Sequence, residues 1–144
     1  MVNLISKAVF LPYHLNHYRQ HNPNSLSKNH GFSLFFKYKI MFNRISEIID
    51  ESSENENLYT ALNNRISLSL INICLSLTSK RNMSSVYDKI SHLKIVLDDD
   101  IYRKSFSMLE MKYLPMHWRF FYIIAKSRNA TLLFLITLII KKLR

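Results

Sequence analysis

Gly31 is the only glycine in this chain of 144 residues, and this scarcity limits the folds that are open to it. Glycine supplies the positive φ angles that tight hairpin turns need, and its missing side chain lets backbone amides approach a phosphate group. Many-stranded hairpin sheets, P-loops and dinucleotide-binding loops therefore need several glycines. The composition favours helices and excludes these glycine-rich phosphate sites, while 48% hydrophobic residues suffice for a folded core.

Apolar residues recur at spacings of three and four through most of the chain. This spacing predicts four helices, over 32–50, 54–79, 84–97 and 99–109. Pro115 suits the first turn of a fifth helix, where its missing N–H costs nothing. The residues predicted to face the core are Tyr38, Met41, Phe42, Ile45, Ile48 and Ile49 in the first helix, Leu58, Leu62, Ile66, Leu70, Ile73 and Leu77 in the second, and Val86, Ile90, Leu93 and Leu97 in the third.

The N-terminal segment has a different pattern. In residues 8–20 apolar side chains alternate with others from Val9 to Leu15, as in a strand, and Pro12 would confine that strand to a sheet edge. We predict a mainly α fold, with a short N-terminal strand and loop followed by five to six helices, the last two amphipathic or apolar. The predicted parts are a strand and loop at 1–31, a helical region at 32–110, and basic apolar helices at 111–144.

Positive charge is concentrated at both ends of the chain. The net charge is +10, residues 1–45 carry six basic and no acidic side chains, and residues 111–144 carry seven and none. Such ends favour a polyanionic partner, which could be lipid headgroups, nucleic acid or a phosphorylated substrate. Nucleic acid is the less favoured partner, because the basic residues share their segments with long aliphatic runs and no known binding module is present.

The C-terminal segment is predicted to lie at a membrane surface. The largely apolar run 130–140 is shorter than the roughly 20 residues of a membrane-spanning helix. A span over 114–140 would place three basic side chains inside hydrocarbon, each costing about 2.5–3.5 kcal/mol near the centre. Two interfacial helices avoid this cost, with Trp118, Tyr113 and Tyr122 at headgroup level. The residues predicted to dock are Trp118, Arg119, Lys126, Arg128, Lys141, Lys142 and Arg144.

Two alternatives for this segment remain open, a helix packed on a soluble core and a true span. The surface interpretation predicts a cytoplasmic protein, peripheral at the inner face of the cell membrane, with anionic lipid as its partner.

Other candidate sites are weaker. Cys74 lies in an apolar run, which predicts a buried and inert thiol. Residues 98–100, three consecutive aspartates, are predicted to cap a helix rather than to bind a metal, because no convergent oxygen ligands lie nearby in the sequence. His14, His17 and His21 lack a third zinc ligand in a consistent geometry.

Two motifs resemble a known family. Residues 17–21 (His-Tyr-Arg-Gln-His) with 25–27 (Ser-Leu-Ser) are similar to a Tyr-Arg-Gln-Arg…Gly-Ser-Ile-Ser pattern late in the catalytic domain of bacterial family 2 glycosyltransferases. Residues 114–121 (Leu-Pro-Met-His-Trp-Arg-Phe-Phe) resemble a Leu-Pro-Leu-His-Trp-Lys/Arg segment near the C-terminus of some members. The resemblance implies sugar transfer from a nucleotide-sugar donor in exopolysaccharide, capsule or lipopolysaccharide synthesis. By resemblance, the residues near the donor pyrophosphate are His17, Arg19, Ser25 and Ser27.

The resemblance covers only the C-terminal part of the family. The family's Asp-x-Asp motif, which holds a divalent metal, has no counterpart before the predicted strand, and residues 98–100 lie too far downstream to serve. We therefore predict a C-terminal glycosyltransferase fragment that is inactive and without cofactor on its own. A separate chain would then carry the catalytic half. The alternative is a free-standing helical membrane-surface or interaction protein, so whether the chain is an enzyme stays open.

Overall fold

The computed structural model describes residues 31–51 and 55–143, and over these residues the chain is mainly α-helical, as predicted. The predicted strand at 8–20 and almost all of the following loop lie outside the described residues. The helices are α1 (Ser33–Asp50), α2 (Asn55–Leu77), α3 (Val86–Asp98), α4 (Asp100–Met108), α5 (Met116–Lys126) and α6 (Ala130–Leu143), and a 3₁₀ turn, Met111–Tyr113, precedes α5.

Helix α2 is the centre of the bundle, and α1, α4 and α6 pack against it. Its residues Leu70, Ile73, Cys74 and Leu77 are completely buried. Helix α1 runs antiparallel to α2. At one end of the pair the Tyr59 hydroxyl donates to Asp50, and at the other the Gly31 amide donates to the Ser76 hydroxyl at 2.8 Å.

Helix α4 also runs antiparallel to α2, along a line of polar contacts inside the core. The hydroxyls of Tyr102 and Ser69 lie 2.8 Å apart, and further along the pair the Ser105 hydroxyl is 3.3 Å from the Asn63 amide oxygen. Small serine side chains let the two helices approach closely. Their hydroxyls also bond to carbonyls one turn back, as Ser105 does to Ile101, which satisfies them in the apolar interior.

The starts of α3 and α4 are fixed by side-chain caps. The Ser85 hydroxyl accepts from the Asp88 amide at 3.1 Å and begins α3. The Asp99 carboxylate accepts from the Ile101 amide at 3.1 Å and begins α4, which confirms that the triple aspartate caps a helix. The second carboxylate oxygen of Asp99 forms an ion pair with Lys39 of α1 at 2.6 Å.

On α1, α2 and α3 some of the residues predicted to face the core are exposed, so the buried side of these helices is narrower than predicted. In α1 the buried residues are Phe35, Phe42 and Ile49, one every seventh residue, because α1 packs mainly against one helix. A single neighbour covers a narrow strip, so the adjacent apolar positions stay exposed. Four residues predicted to face the core are exposed instead, namely Met41, Ile48, Leu58 and Val86.

Candidate functional site

Helices α5 and α6 form an antiparallel hairpin that, with the turn between them, contains the residues predicted to dock at a membrane except Arg144. A small apolar cavity is lined by Trp118 and Phe121 from the N-terminal half of α5 and by Thr137 and Ile140 from the C-terminal half of α6, so the two helices run in opposite directions. Their buried residues belong to the same core as those of α1–α4. The hairpin sequence, residues 111–143, contains no acidic side chain.

Arg119 stabilises the N-terminal end of α5 by binding backbone carbonyls of the preceding turn. The Pro115 carbonyl accepts hydrogen bonds from the amides of Trp118 and Arg119, which starts the helix. The Arg119 guanidinium reaches back and donates from Nε to the Leu114 carbonyl and from Nη2 to the Lys112 carbonyl, each at 2.7 Å. Arg119 is exposed and positively charged, and its two hydrogen bonds connect the segment of the 3₁₀ turn to α5.

The aromatic residues of α5 divide between the core and the surface. Trp118 is half-buried and packs edge-on against Phe121, with ring centroids 5.6 Å apart. Tyr122 was expected at headgroup level, and that expectation is wrong. It is completely buried, and its hydroxyl donates to the Ser67 carbonyl of α2 at 2.9 Å. Tyr122 therefore anchors α5 on the central helix.

A three-residue turn joins the two helices. Arg128 has a positive φ of 57°, a left-handed conformation that costs a non-glycine residue about 1–2 kcal/mol. A helix cap in the same turn offsets this conformational cost. The Asn129 side chain accepts a hydrogen bond from the Leu132 amide at 2.9 Å and begins α6. The Arg128 guanidinium lies 3.9 Å from the Asp98 carboxylate at the end of α3.

The side of the hairpin that points away from the core is largely apolar, and the exposed polar or charged side chains of the two helices include His117, Arg119 and Thr131. Its apolar residues recur at spacings of three and four along each helix and are between 40% and 81% exposed. We call this surface the outer face. It comprises Met116, Phe120 and Ile123 of α5 and Leu132, Leu135, Leu138 and Ile139 of α6.

Positive charges flank the outer face. Lys126 ends α5 and Lys142 lies in the last turn of α6, and neither forms an ion pair with an acid among the described residues. Lys141 donates to the Thr78 carbonyl near the end of α2 at 2.7 Å, which ties the C-terminal end of α6 to the bundle. The hairpin thus combines apolar side chains with cations, the pattern of helices that bind anionic lipid surfaces.

The residues proposed by resemblance to line a donor loop, His17, Arg19, Ser25 and Ser27, lie outside the described residues, as does Arg144.

Cys74 is buried beneath the hairpin, and desolvation raises the pKa of its thiol to about 12 while a hydrogen bond with Thr137 partly offsets the rise. In residues 31–51 and 55–143, no cluster of three or more His, Cys, Asp or Glu side chains has a geometry that would hold a metal ion.

The outer-face residues could not be identified individually from the sequence. A helical spacing was visible in the run 130–140, but nearly every position in it is apolar, so periodicity alone cannot separate the buried side from the exposed side. The two polar positions of the run do not resolve this, because Thr131 is exposed and Thr137 is buried. In the structure Thr137 is buried against α2, which places Leu135 and Leu138 toward the outside.

None of the described helices is both long enough and apolar enough to cross a membrane. In comparisons with protein-family models, curated proteins and solved structures, nothing matches this chain.

Proposed function

We propose that the α5–α6 hairpin docks this protein on an anionic membrane surface. The observation that carries the proposal is the outer face, seven exposed apolar side chains on a hairpin whose only charged side chains are cations. Exposed apolar side chains that recur along one side of a helix can mark a site of protein or membrane interaction. The docked protein would be peripheral, at the cytoplasmic face of the cell membrane.

Simple energetics indicate which interaction dominates. Burying a whole Leu, Ile, Phe or Met side chain contributes about 1.5–3 kcal/mol, so the half-exposed outer-face residues contribute on the order of 1 kcal/mol each, roughly 7 kcal/mol together before the cost of immobilisation. A cation near anionic lipid contributes about 1 kcal/mol, so the two unpaired cations that flank the outer face, Lys126 and Lys142, contribute about 2 kcal/mol together. The apolar contribution is the larger one, so binding should weaken in high salt without being abolished.

Vesicle binding tests the docking proposal. We expect the full chain to sediment with vesicles of phosphatidylcholine and phosphatidylserine, and more weakly with phosphatidylcholine alone. The triple variant Phe120→Ser/Leu135→Ser/Ile139→Ser should lose about a hundredfold in partitioning, because roughly 1 kcal/mol is removed at each position.

The matched control is Ile48→Ser on α1. Ile48 is 66% exposed and Ile139 is 58% exposed, so both substitutions remove a similar apolar surface from different helices. Equal loss of binding in Ile48→Ser and in Ile139→Ser alone would show that the outer face has no special role. Far-UV circular dichroism checks that these variants are folded.

We further propose that the chain is the C-terminal part of a family 2 glycosyltransferase, whose sugar-transferring half lies in a preceding segment or in a separate chain. The two motifs at 17–27 and 114–121 support this assignment. The local structure gives the second motif a physical rationale, because Pro115 starts α5, Trp118 packs on the core, and Arg119 binds two backbone carbonyls. Docking would then hold the catalytic half near a membrane-bound acceptor.

Transfer assays separate this assignment from the docking proposal. The purified chain, supplied with UDP-sugars and manganese, should transfer no sugar, and robust transfer would overturn the assignment. Reading the DNA upstream gives a second test. A frame that encodes a nucleotide-binding fold with Asp-x-Asp supports the assignment, whereas unrelated DNA with intact vesicle binding supports a free-standing membrane-surface protein.

A further inference from the structure

An open cleft of about 470 Å³ lies between α4 and the C-terminal end of α5. Its floor is apolar and consists of Leu97, Phe106 and Ala125, which are all buried in the core. Its rim is highly charged, and it contains the side chains of Asp100, Arg103, Lys104, Lys126 and Arg128. The cleft is distinct from the outer face, because none of the seven outer-face residues lines it.

The positive charges on the rim exceed the negative ones. Arg103 pairs with Asp100 at 3.3 Å, and the guanidinium of Arg128 is 3.9 Å from Asp98, just outside the cleft. Lys104 and Lys126 have no acidic partner in the described part of the chain. Two of the four cations on the rim are therefore uncompensated.

Such an arrangement favours an anion between the cations. Like charges around one cleft repel each other, and an anion that bridges them removes this repulsion and gains a charge-assisted hydrogen bond from each donor. The uncompensated charge is about two, which matches a phosphate monoester near neutral pH. A carboxylate carries one charge and presents its oxygens in a single plane, so it would leave one lysine unsatisfied.

We propose that this cleft binds a phosphate monoester or diphosphate group, with Lys104 of α4 and Lys126 of α5 as its principal partners. The volume lies in the range of small-ligand sites, which run from about 300 to 1,000 Å³. The apolar floor accommodates an uncharged part of the ligand beside its phosphate. The phosphate group belongs either to a soluble compound or to a lipid headgroup, and the experiment below distinguishes the two sources.

The test uses the full chain and two probes at constant ionic strength. Sodium pyrophosphate, titrated by calorimetry, represents the soluble source. Vesicles that contain phosphatidic acid, compared with phosphatidylserine vesicles of equal charge, represent the lipid source. Lys104→Gln and Lys126→Gln should each weaken binding about tenfold, the usual loss for one charge-assisted contact. Lys104→Arg should retain most of it, because the donor charge is kept.

The control is Lys94→Gln, which removes an exposed lysine of α3 that does not line the cleft. Pyrophosphate binding that depends on Lys104 and Lys126 but not on Lys94 supports the site and a soluble ligand. If only the phosphatidic acid vesicles bind, and their binding depends on Lys104 and Lys126 but not on Lys94, the result supports the site and a lipid ligand. Failure of both probes, or equal losses in all three glutamine variants, overturns the proposal. The Phe120→Ser/Leu135→Ser/Ile139→Ser variant should keep pyrophosphate binding, which separates this site from membrane docking.

Discussion

The hydroxyl of Tyr102 on α4 donates a hydrogen bond to the Ser69 hydroxyl on α2, across a fully buried helix interface. The two oxygens are 2.8 Å apart, and Ser69 uses its own proton to bond the Ile66 carbonyl at 2.6 Å, so the proton between the two residues comes from Tyr102. Burial raises the pKa of the Tyr102 hydroxyl well above its usual value. The pair fixes the register of α4 along the central helix.

The two partners of this bond should differ in their effect on stability. Ser69→Ala leaves the Tyr102 hydroxyl buried without an acceptor, which costs about 1–3 kcal/mol. Tyr102→Phe removes the hydroxyl itself, and Ser69 keeps its bond to Ile66, so the loss should be nearer 1 kcal/mol. Urea unfolding of both variants measures the difference.

The double variant Ser69→Ala/Tyr102→Phe provides the control. With both hydroxyls removed no buried polar group is orphaned, so the double variant should be more stable than the sum of the single losses predicts. Strictly additive losses would mean that the two hydroxyls do not interact in solution.

Asp99 should be the one member of the triple aspartate that matters for stability. Its carboxylate caps α4 through Ile101 and pairs with Lys39, and its side chain is only 9% exposed. Asp99→Ala loses both interactions and should cost about 2 kcal/mol or more, since a cap alone is typically worth about 1 kcal/mol. Asp99→Asn keeps the cap and loses the ion pair, so its effect should be smaller.

Asp100→Ala is the matched control for Asp99. Its side chain is 95% exposed and its ion pair with Arg103 lies at the surface, so we expect a loss below about 0.5 kcal/mol. A thermal midpoint for Asp100→Ala as low as that for Asp99→Ala would contradict the assignment of the cap to Asp99.

Local signals explain why most helix positions were predictable. Caps such as Asp99 act within a few residues, and periodic apolar positions such as Leu70 and Ile73 mark the buried side of α2. The width of each buried strip was not predictable, because it depends on how many helices pack against that side. Ile48 is left exposed and Tyr122 is buried for this reason.

The C-terminal segment, predicted as two basic apolar helices, showed a similar division. A basic apolar C-terminal segment was evident from composition, but the partners of its cations were not. Arg119 binds carbonyls five and seven residues before it, and Lys141 binds Thr78, which is 63 residues away. Nothing in a single sequence specifies such a long-range contact, since a lysine stem can reach any carbonyl that the fold brings close.

Arg119 should stabilise the start of α5 because its guanidinium donates two hydrogen bonds to backbone carbonyls before the helix. Arg119→Lys keeps the charge, but an ammonium group cannot hold the Leu114 and Lys112 carbonyls in the same fixed geometry. We expect a loss of about 1 kcal/mol and faster hydrogen exchange for the amides of residues 112–118. Lys126→Gln, at the other end of the same helix, should leave both unchanged. Identical exchange rates in Arg119→Lys and the native chain would show that the two hydrogen bonds are not formed in solution.

Alkaline pH should destabilise the fold through three buried acids. Desolvation raises the pKa of the Cys74 thiol to about 12, and it also raises the pKa values of the Tyr102 and Tyr122 hydroxyls. In the unfolded chain the thiol ionises near pH 8.5 and the tyrosines near pH 10, to within about half a unit. The unfolded state therefore releases protons that the folded state retains, so the stability present below about pH 8.5 falls as the pH rises toward 12.

The Cys74 contribution can be isolated by its pH slope. Between about pH 9 and pH 10 the thiol alone should increase the unfolding equilibrium constant close to tenfold, because one proton is released on unfolding. Cys74→Ala removes that proton, so its stability should fall less steeply over this interval even if the variant is less stable at every pH. Urea midpoints at pH 7, 9 and 10 measure both slopes, and native Cys74 should resist alkylation until the chain unfolds. Parallel slopes, or rapid labelling of the native thiol, would place Cys74 in contact with water and contradict its position beneath the hairpin.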